Sequence, residues 1–334
     1  MTKEDLGFQV SPSPPSRLQP TTRERVGLVV DGANAAAAVK TIVAAEAAGV
    51  RQIWMVQPPS APDVLTTLSA ATTKTSTVRL GTSIVPTYPR HPLVLAQQAL
   101  SLYDIAPGRL RLGIGPSHQA IIEGIYGLSQ TTPLAHLREY VKVLRAALWE
   151  GKVDHHGQFF NVVVTLPRTT QTPVLISTLG KKAFELAGEI DDGALSWICP
   201  VPYLLNTGIP ALRIAAAANR RSASPPPLVA HISVALSQDR HSVLDVGHQV
   251  LDMYAKFPFY VKMFADAGFP LTAGQMVVPD NLVENLIVSG NEATVTERLT
   301  ELLAAGLDEL MVTLVPIKDA VDELTRLMHL IGQL

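Results

Sequence analysis

The sequence predicts an α/β chain folded as a (β/α)8 TIM barrel with insertions over its C-terminal mouth. Three observations carry that prediction. Short β-type apolar runs alternate with Ala- and Leu-rich amphipathic runs through most of the 334 residues. The strand-type runs are apolar on both faces, as in a parallel sheet covered by helices on each side. Eight such units over this length favour a closed barrel, with an open doubly wound sheet as the alternative.

The units follow in order. Strand one is Val26–Val30, with a helix over Asn34–Ala48 that Gly49 ends. Strand two is Gln52–Val56, with a helix over Asp63–Thr73. Strand three is Val78–Ile84, with a helix over Pro92–Ile105, after which Pro107 and Gly108 turn into strand four, Arg109–Gly113. The fourth helix, Pro133–Trp149, repeats apolar residues at Leu134, Leu137, Val141, Leu144 and Leu148, a helical period. Residues 151–172 break the rhythm and read as a hairpin insertion. Strand five is Val174–Ser177 with a helix over Lys181–Glu189, and strand six is Ala194–Ile198 with a helix over Pro202–Ala218. Strand seven is Leu228–Val234 with a helix from Asp239 to Lys256, and a second insertion covers 257–290. The last unit is a helix over Glu292–Ala305, strand Glu309–Leu314 and a terminal helix over Asp319–Ile331.

Composition narrows the functional classes. Residues 1–24 are polar and proline-bearing and read as a flexible leader; they lack the apolar centre of a signal peptide, and residues 25–334 form the single domain. No uninterrupted apolar run is long enough to span a bilayer, so no membrane partner is expected. A net charge of −2 gives no pull on nucleic acid. Cys199 is the single cysteine, which excludes an internal disulfide and a thiolate zinc site and fits a cytoplasmic setting. His155 and His156 are adjacent on a strand and face opposite ways, so no metal site is expected.

In a barrel, chemistry gathers at the C-terminal ends of the strands. The residues there are Asp31 and Gly32, Gln57, Thr82 to Pro86, Gly115 to His118, Thr178 to Lys181, Cys199 and Ser237. The most informative stretch is Leu80-Gly-Thr-Ser-Ile-Val-Pro-Thr-Tyr-Pro-Arg-His-Pro92. Its small polar residues let a flat ring approach the backbone, and its prolines stiffen the wall. The same residue types also suit a rigid loop with no ligand. Gly180 before a helix, followed by Lys181 and Lys182, suits a phosphate group or equally a capped helix with solvated charges. His118 titrates near neutral pH and is a candidate proton donor, or a packing histidine at the mouth. Gln57 can hydrogen-bond but cannot exchange a proton at neutral pH.

The Leu80–Pro92 stretch, with Gln97-Gln98-Ala-Leu100 and Gly108-Arg-Leu-Arg-Leu-Gly-Ile-Gly-Pro-Ser-His118, resembles the luciferase-like flavin and deazaflavin oxidoreductases, and within them the coenzyme F420-dependent group. Arg138-Glu-Tyr140, Pro173-Val-Leu-Ile-Ser177, Leu186-Ala-Gly188 with Asp192-Gly193, and Gly290-Asn-Glu-Ala-Thr-Val295 extend the resemblance over residues 26–315. It implies a barrel with an insertion over the mouth and a bulge after strand three containing a non-prolyl cis peptide, here Ser83–Ile84. That bulge would back the central ring of the cofactor. The implied cofactor contacts are Gln57, Thr82, Ser83, Ile84, Val85, Thr87, Gly113 and Gly115, with Thr178, Leu179, Gly180 and Lys181 at the cofactor phosphate. Gly113-Ile-Gly115 lacks the third glycine of a dinucleotide fingerprint and reads as close approach of strand four to the ring.

Sugar-phosphate-oxidising relatives carry an acid–base His after strand two and a Glu after strand four. Here those regions read Trp54-Met-Val-Gln-Pro-Pro59 and Gly115-Pro-Ser-His118. The implied activity is therefore hydride transfer between F420 and a small organic substrate, with an enone- or imine-like acceptor. The alternatives are an FMN-dependent monooxygenase and a non-catalytic barrel that binds a flavin or deazaflavin. Phe159, Phe160, Phe257, Phe259, Tyr260 and Met263 in the insertions read as an apolar lid or as ordinary packing. The resemblance also implies a homodimer.

Overall fold

The computed structural model describes residues 20–190, 192–219, 225–271 and 278–334. In chain order its strands are β1 (Val26–Val29), β2 (Gln52–Met55), β3 (Arg79–Thr82), β4 (Val85–Pro86), β5 (Leu110–Gly115), β6 (Lys152–His156), β7 (Asn161–Thr165), β8 (Val174–Thr178), β9 (Ala194–Ser196), β10 (Leu228–Ala235), β11 (Ile287–Ser289) and β12 (Glu309–Leu314). Eight of them, β1-β2-β3-β5-β8-β9-β10-β12, form a parallel ring that closes by pairing β12 with β1. This is the closed barrel that the eightfold alternation predicts. β4 resumes the third strand after a two-residue break and pairs with β5, Val85 opposite Ile114. β11 pairs with the upper half of β10, beyond the point where β9 ends.

Alternate strand residues face the barrel axis and the surrounding helices. The helix-facing set, including Leu28, Ile53, Leu80, Leu112 and Ile176, joins the helices in one continuous core. The axis-facing set is a separate group of Val29, Trp54, Leu175, Leu195, Val229 and Met311. Trp54 fits there because two neighbours lack side chains: a Cβ on Gly81 would lie 2.2 Å from the indole, and one on Gly27 would lie 2.8 Å away. At the N-terminal end of the barrel Arg111 pairs with Glu309 at 2.5 Å, and Gln52 bonds to both. Burial opposes ionisation of Glu309, but the adjacent Arg111 guanidinium and the bond from Gln52 hold its carboxyl below the usual range. This network closes the end of the barrel away from the mouth.

The helices begin where side chains satisfy their free N–H groups. Asn34, Asp63, Asp239, Asn291 and Asp319 each accept from a first-turn amide. Pro92 and Pro133 occupy first positions, where no donor is needed.

The first insertion is the antiparallel hairpin β6–β7, as its composition predicts. Glu139 anchors it by accepting from the backbone of Gln158, Phe159 and Phe160 and by pairing with His155 at 3.0 Å. The second insertion contributes helices Pro258–Asp266 and Asp280–Leu286.

Four features depart from the sequence reading. Strand three is split into β3 and β4. A short helix, Gln119–Gly124, follows β5. β11 lies inside the second insertion. Thr22–Arg25, the first three of them counted with the leader, form a helical turn closed by a capping box at Thr21; residues 1–19 of that leader lie outside the described residues. Among the described residues no helix is long and apolar enough to cross a membrane.

Candidate active site at the C-terminal mouth

Above the Trp54 layer, alternation brings Val56, Ser83, Gly115, Ser177, Trp197, His231 and Thr313 to the C-terminal mouth. The break between β3 and β4 holds the Ser83–Ile84 bond, which is cis, as the resemblance implies. Ser83 donates its amide to Met55 O at 2.8 Å. Its hydroxyl is buried and has no hydrogen-bond partner. A buried polar atom without a partner is uncommon and marks a place for a ligand or water. Ile84 is half-buried beside it. A Cβ on Gly115 would lie 2.1 Å from Ser177 Oγ and 3.3 Å from Ile84 Cγ1. Ser83, Ile84, Gly115 and Ser177 therefore converge on one wall of the mouth.

The other predicted contacts serve the frame of that wall. Thr82 is fully buried, donating to Gly113 O at 2.7 Å and accepting from Gly113 N at 2.9 Å, which pins β3 to β5. The space beside Gly113 is filled by Thr82 O and Leu195. Val85 is buried in the β4–β5 pairing. Thr87 donates its amide to Gly115 O and lies 3.5 Å from His136 Nδ1. The Gln57 side chain closes its own loop: its amide donates to Pro58 O and Pro62 O, and its oxygen accepts from Val64 N at 2.7 Å. Thr178 donates to Leu195 O, and Leu179 O accepts from Tyr203. Gly180 has open space where a side chain would be, and Lys181 beside it is exposed, 3.9 Å from Glu185. Together they form an accessible helix start on the same rim.

His118 stacks on Phe257 of the second insertion, ring centroids 4.2 Å apart. Burial lowers its pKa and keeps it neutral at pH 7. Tyr260 from the same insertion donates to Trp197 O, and the Trp197 indole donates to Tyr254 at 2.8 Å. Phe257 and Tyr260 thus cover the mouth. Phe159 and Phe160 instead pack with His136 and Tyr140 under the hairpin, which makes them packing residues. Burial of His136 lowers its pKa to about 4.

Several mouth residues had no role assigned from sequence. Asp31, after β1, is open to solvent, yet the surrounding loops desolvate it enough to raise its carboxyl pKa. His231 on β10 is buried, its Nε2 lies 3.0 Å from Thr313 Oγ1, and its ring packs 3.8 Å from the Trp197 ring, centroid to centroid. In sequence His231 stands in an apolar run and reads as core; its inward position on alternation is the signal that distinguishes it. Cys199 is buried, with its thiol pushed up to about 12 by desolvation, so it is no nucleophile. Among the described residues no three His, Cys, Asp or Glu side chains are arranged to hold a metal ion.

Comparison with known proteins follows the same geometry. A family model described as luciferase-like monooxygenase matches residues 16–309. A Mycobacterium tuberculosis protein named as a coenzyme F420-dependent oxidoreductase is 26% identical over 315 residues, covering 81% of this chain and 89% of its own. The 5,10-methylenetetrahydromethanopterin reductase of Methanolobus tindarius is 31% identical over 153 residues, 45% of this chain and about half (47%) of that relative. Among solved structures, an F420-dependent secondary alcohol dehydrogenase bound to an F420–acetone adduct superposes with a TM-score of 0.77 at 18% identity, covering 92% of this chain and 97% of its own. The tetrahydromethanopterin reductase of Methanopyrus kandleri superposes at 0.74 with 22% identity, covering 92% and 96%.

Proposed function

The chain belongs to the luciferase-like monooxygenase family, and from that premise we propose that it is an oxidoreductase that uses coenzyme F420 to transfer a hydride to or from a small organic substrate, with reduction of an enone- or imine-like acceptor as the favoured direction. The observation that carries this reading is the unpartnered, buried Ser83 hydroxyl at the break between β3 and β4, beside Ile84, Gly115 and Ser177. A planar ring with polar edges fits such a wall. The relative named as a coenzyme F420-dependent oxidoreductase supports the choice of cofactor.

When bound, the deazaflavin supplies a carbon-centred hydride donor or acceptor. The protein supplies position. Ser83 and Ile84 would back the ring, with Val85, Thr82, Gly113 and Thr87 holding that wall in register, while Gly115 leaves room for Ser177 on the same wall. Gly180 and Lys181, with Thr178 and Leu179 setting the loop, offer backbone N–H groups and charge to the cofactor phosphate. Phe257 and Tyr260, packed over His118 and Trp197, exclude water from the mouth, and His118 contributes a neutral imidazole at the rim. Gln57 acts by holding the loop after β2. The same reading takes a small-molecule substrate, a cytoplasmic setting and a homodimer.

The test is a fluorescence titration of purified protein with F420 and, separately, FMN. Saturable F420 binding with weaker FMN binding is expected. Tight FMN binding with no F420 binding would favour the monooxygenase alternative, and binding of neither would overturn the assignment.

A further inference from the structure

The seventh and eighth barrel strands hold a pair of groups that the cofactor wall does not use. His231 Nδ1 accepts the Ile198 amide at 3.4 Å. Nδ1 therefore carries the lone pair, and in the neutral ring Nε2 carries the proton. Burial keeps the ring neutral, lowering its pKa to about 3. Nε2–H thus points at Thr313 Oγ1, 3.0 Å away, and occupies that oxygen as an acceptor. The Thr313 hydroxyl proton has no acceptor among the described residues, and Thr313 is half-exposed at the mouth. Trp197 packs on the His231 ring, 3.8 Å between centroids, and restricts its movement. Ile198 adopts φ 51° while offering its amide to His231, a conformation uncommon for a β-branched residue and often found at functional sites.

Topology says what this donor faces. In a ring of eight strands the third and seventh lie opposite each other. Ser83 and Ile84 close the third strand, and His231 lies on the seventh. A ring backed by the Ser83–Ile84 wall would turn its free face toward His231 and Thr313.

Resting on the F420 reading above, we propose that Thr313 is a catalytic hydrogen-bond donor to the acceptor's carbonyl oxygen or imine nitrogen, and that His231 is the positioning residue that aims it. The hydroxyl forms and breaks no covalent bond. As the acceptor gains a hydride, two electrons and one proton, at carbon, negative charge collects on its heteroatom, and a solvent proton completes the reduction. The matching oxidation is that of the reduced deazaflavin. The site therefore takes a small uncharged carbonyl or imine acceptor. Its inward-facing groups Ser83, Ser177, His231 and Thr313 offer no fixed positive charge to a phosphate.

The test uses the whole protein with cyclohex-2-en-1-one as probe. Thr313→Val keeps the shape and removes the donor, and Thr313→Ser restores it. F420 affinity, read by fluorescence, is expected to be the same in all three proteins. With reduced F420, Thr313→Val is expected to lose about 100-fold in kcat, and Thr313→Ser to retain most of it. With oxidised F420, where no turnover occurs, the infrared carbonyl band of bound probe is expected at lower frequency in wild type than in Thr313→Val. His231→Leu should lower kcat with KM and F420 affinity unchanged, and His231→Gln, whose amide can donate in the same direction, should recover it. Equal kcat or equal carbonyl bands in wild type and Thr313→Val, with F420 bound, would overturn the donor and leave the cofactor reading intact. Absence of a bound carbonyl band at saturating probe would do the same. Equal damage in the two His231 variants would overturn the positioning role. Failure of wild type to bind F420 would overturn both readings.

Discussion

Replacing Glu309 by Gln tests whether the closed end of the barrel works as a compensated charge pair. The side chains of Arg111 and Glu309 are 11% and 15% exposed, so little water reaches either one. Removing one partner of a buried pair leaves an uncompensated charge and costs about 3–5 kcal/mol. Here the remaining Arg111 would also face the like charge of Arg79. Unfolding entropy near 2.1 cal/mol/K per residue gives about 0.7 kcal/mol/K for a chain of this length, so Tm is expected to fall by about 4–7 °C. Calorimetry or circular dichroism at pH 7 measures it. The double variant Arg111→Met/Glu309→Leu removes both charges and is expected to recover most of the loss. The pH dependence has a fixed sign. The folded carboxyl lies below its ordinary value of 4.5, so its stabilisation is present above that value and is lost as pH falls through the folded one. Wild type and Glu309→Gln should therefore converge in acid. A Glu309→Gln Tm within about 1 °C of wild type would refute this reasoning, because a 3 kcal/mol loss cannot hide in so small a shift.

Three further outcomes are expected. Gly115→Ala places a methyl 2.1 Å from Ser177 Oγ and 3.3 Å from Ile84, so it must displace the wall; F420 affinity by fluorescence should fall about tenfold or more, equivalent to about 1.4 kcal/mol, and an unchanged Kd would remove that wall from the cofactor site. Lys181→Ala/Lys182→Ala should weaken F420 binding about twofold to thirtyfold at low salt, given about 0.2–1 kcal/mol per exposed charge, and the difference should vanish in titrations at high salt. His136 has a folded pKa of about 4 against an ordinary 6.5, so the unfolded chain takes up the proton first as pH falls. Its contribution is complete above pH 6.5 and is lost between there and pH 4, on the order of 3 kcal/mol; denaturant titrations should show a flatter acid limb for His136→Phe.

The sequence makes the barrel legible because its signal repeats. Helix Pro92–Ile105 and strand Glu309–Leu314 have the same bounds in sequence and structure, since each lies between clear punctuation and carries one period throughout. Short elements carry too few residues to show a period: Gln119–Gly124 spans six residues and Ile287–Ser289 three, and both escape a pattern-based reading. The site divides along the same line. Ser83, Ile84 and Gly115 are legible through the two stretches that carry the family resemblance, Leu80–Pro92 and Gly108–His118. His231 and Thr313 are 82 positions apart and meet only through the pairing of β10 with β12, so no local pattern joins them. Gln57, Thr82 and Thr178 sit at strand ends as expected, but whether such a side chain turns to the mouth or back into its loop is decided by tertiary hydrogen bonds.

The two ends of the barrel differ in a way that bears on the chemistry. The charged inward-facing groups Arg111 and Glu309 lie at the N-terminal end, where they neutralise each other. The inward-facing groups at the mouth, Ser83, Ser177, His231 and Thr313, are polar and uncharged, and burial keeps His231 so. A fixed cation beside the acceptor would favour substrates already charged, and with those it would bind ground and transition states alike, which gives no rate advantage. A hydride acceptor is neutral at first and gathers charge on its heteroatom only as transfer proceeds. A neutral donor already held in place strengthens with that charge and requires no reorganisation when it appears. The final proton can then come from solvent at the rim, where Asp31 is exposed and its carboxyl is raised by desolvation. On the proposed reading, the missing acid–base His and Glu after strands two and four are consistent with a reaction that needs a fixed donor more than a base.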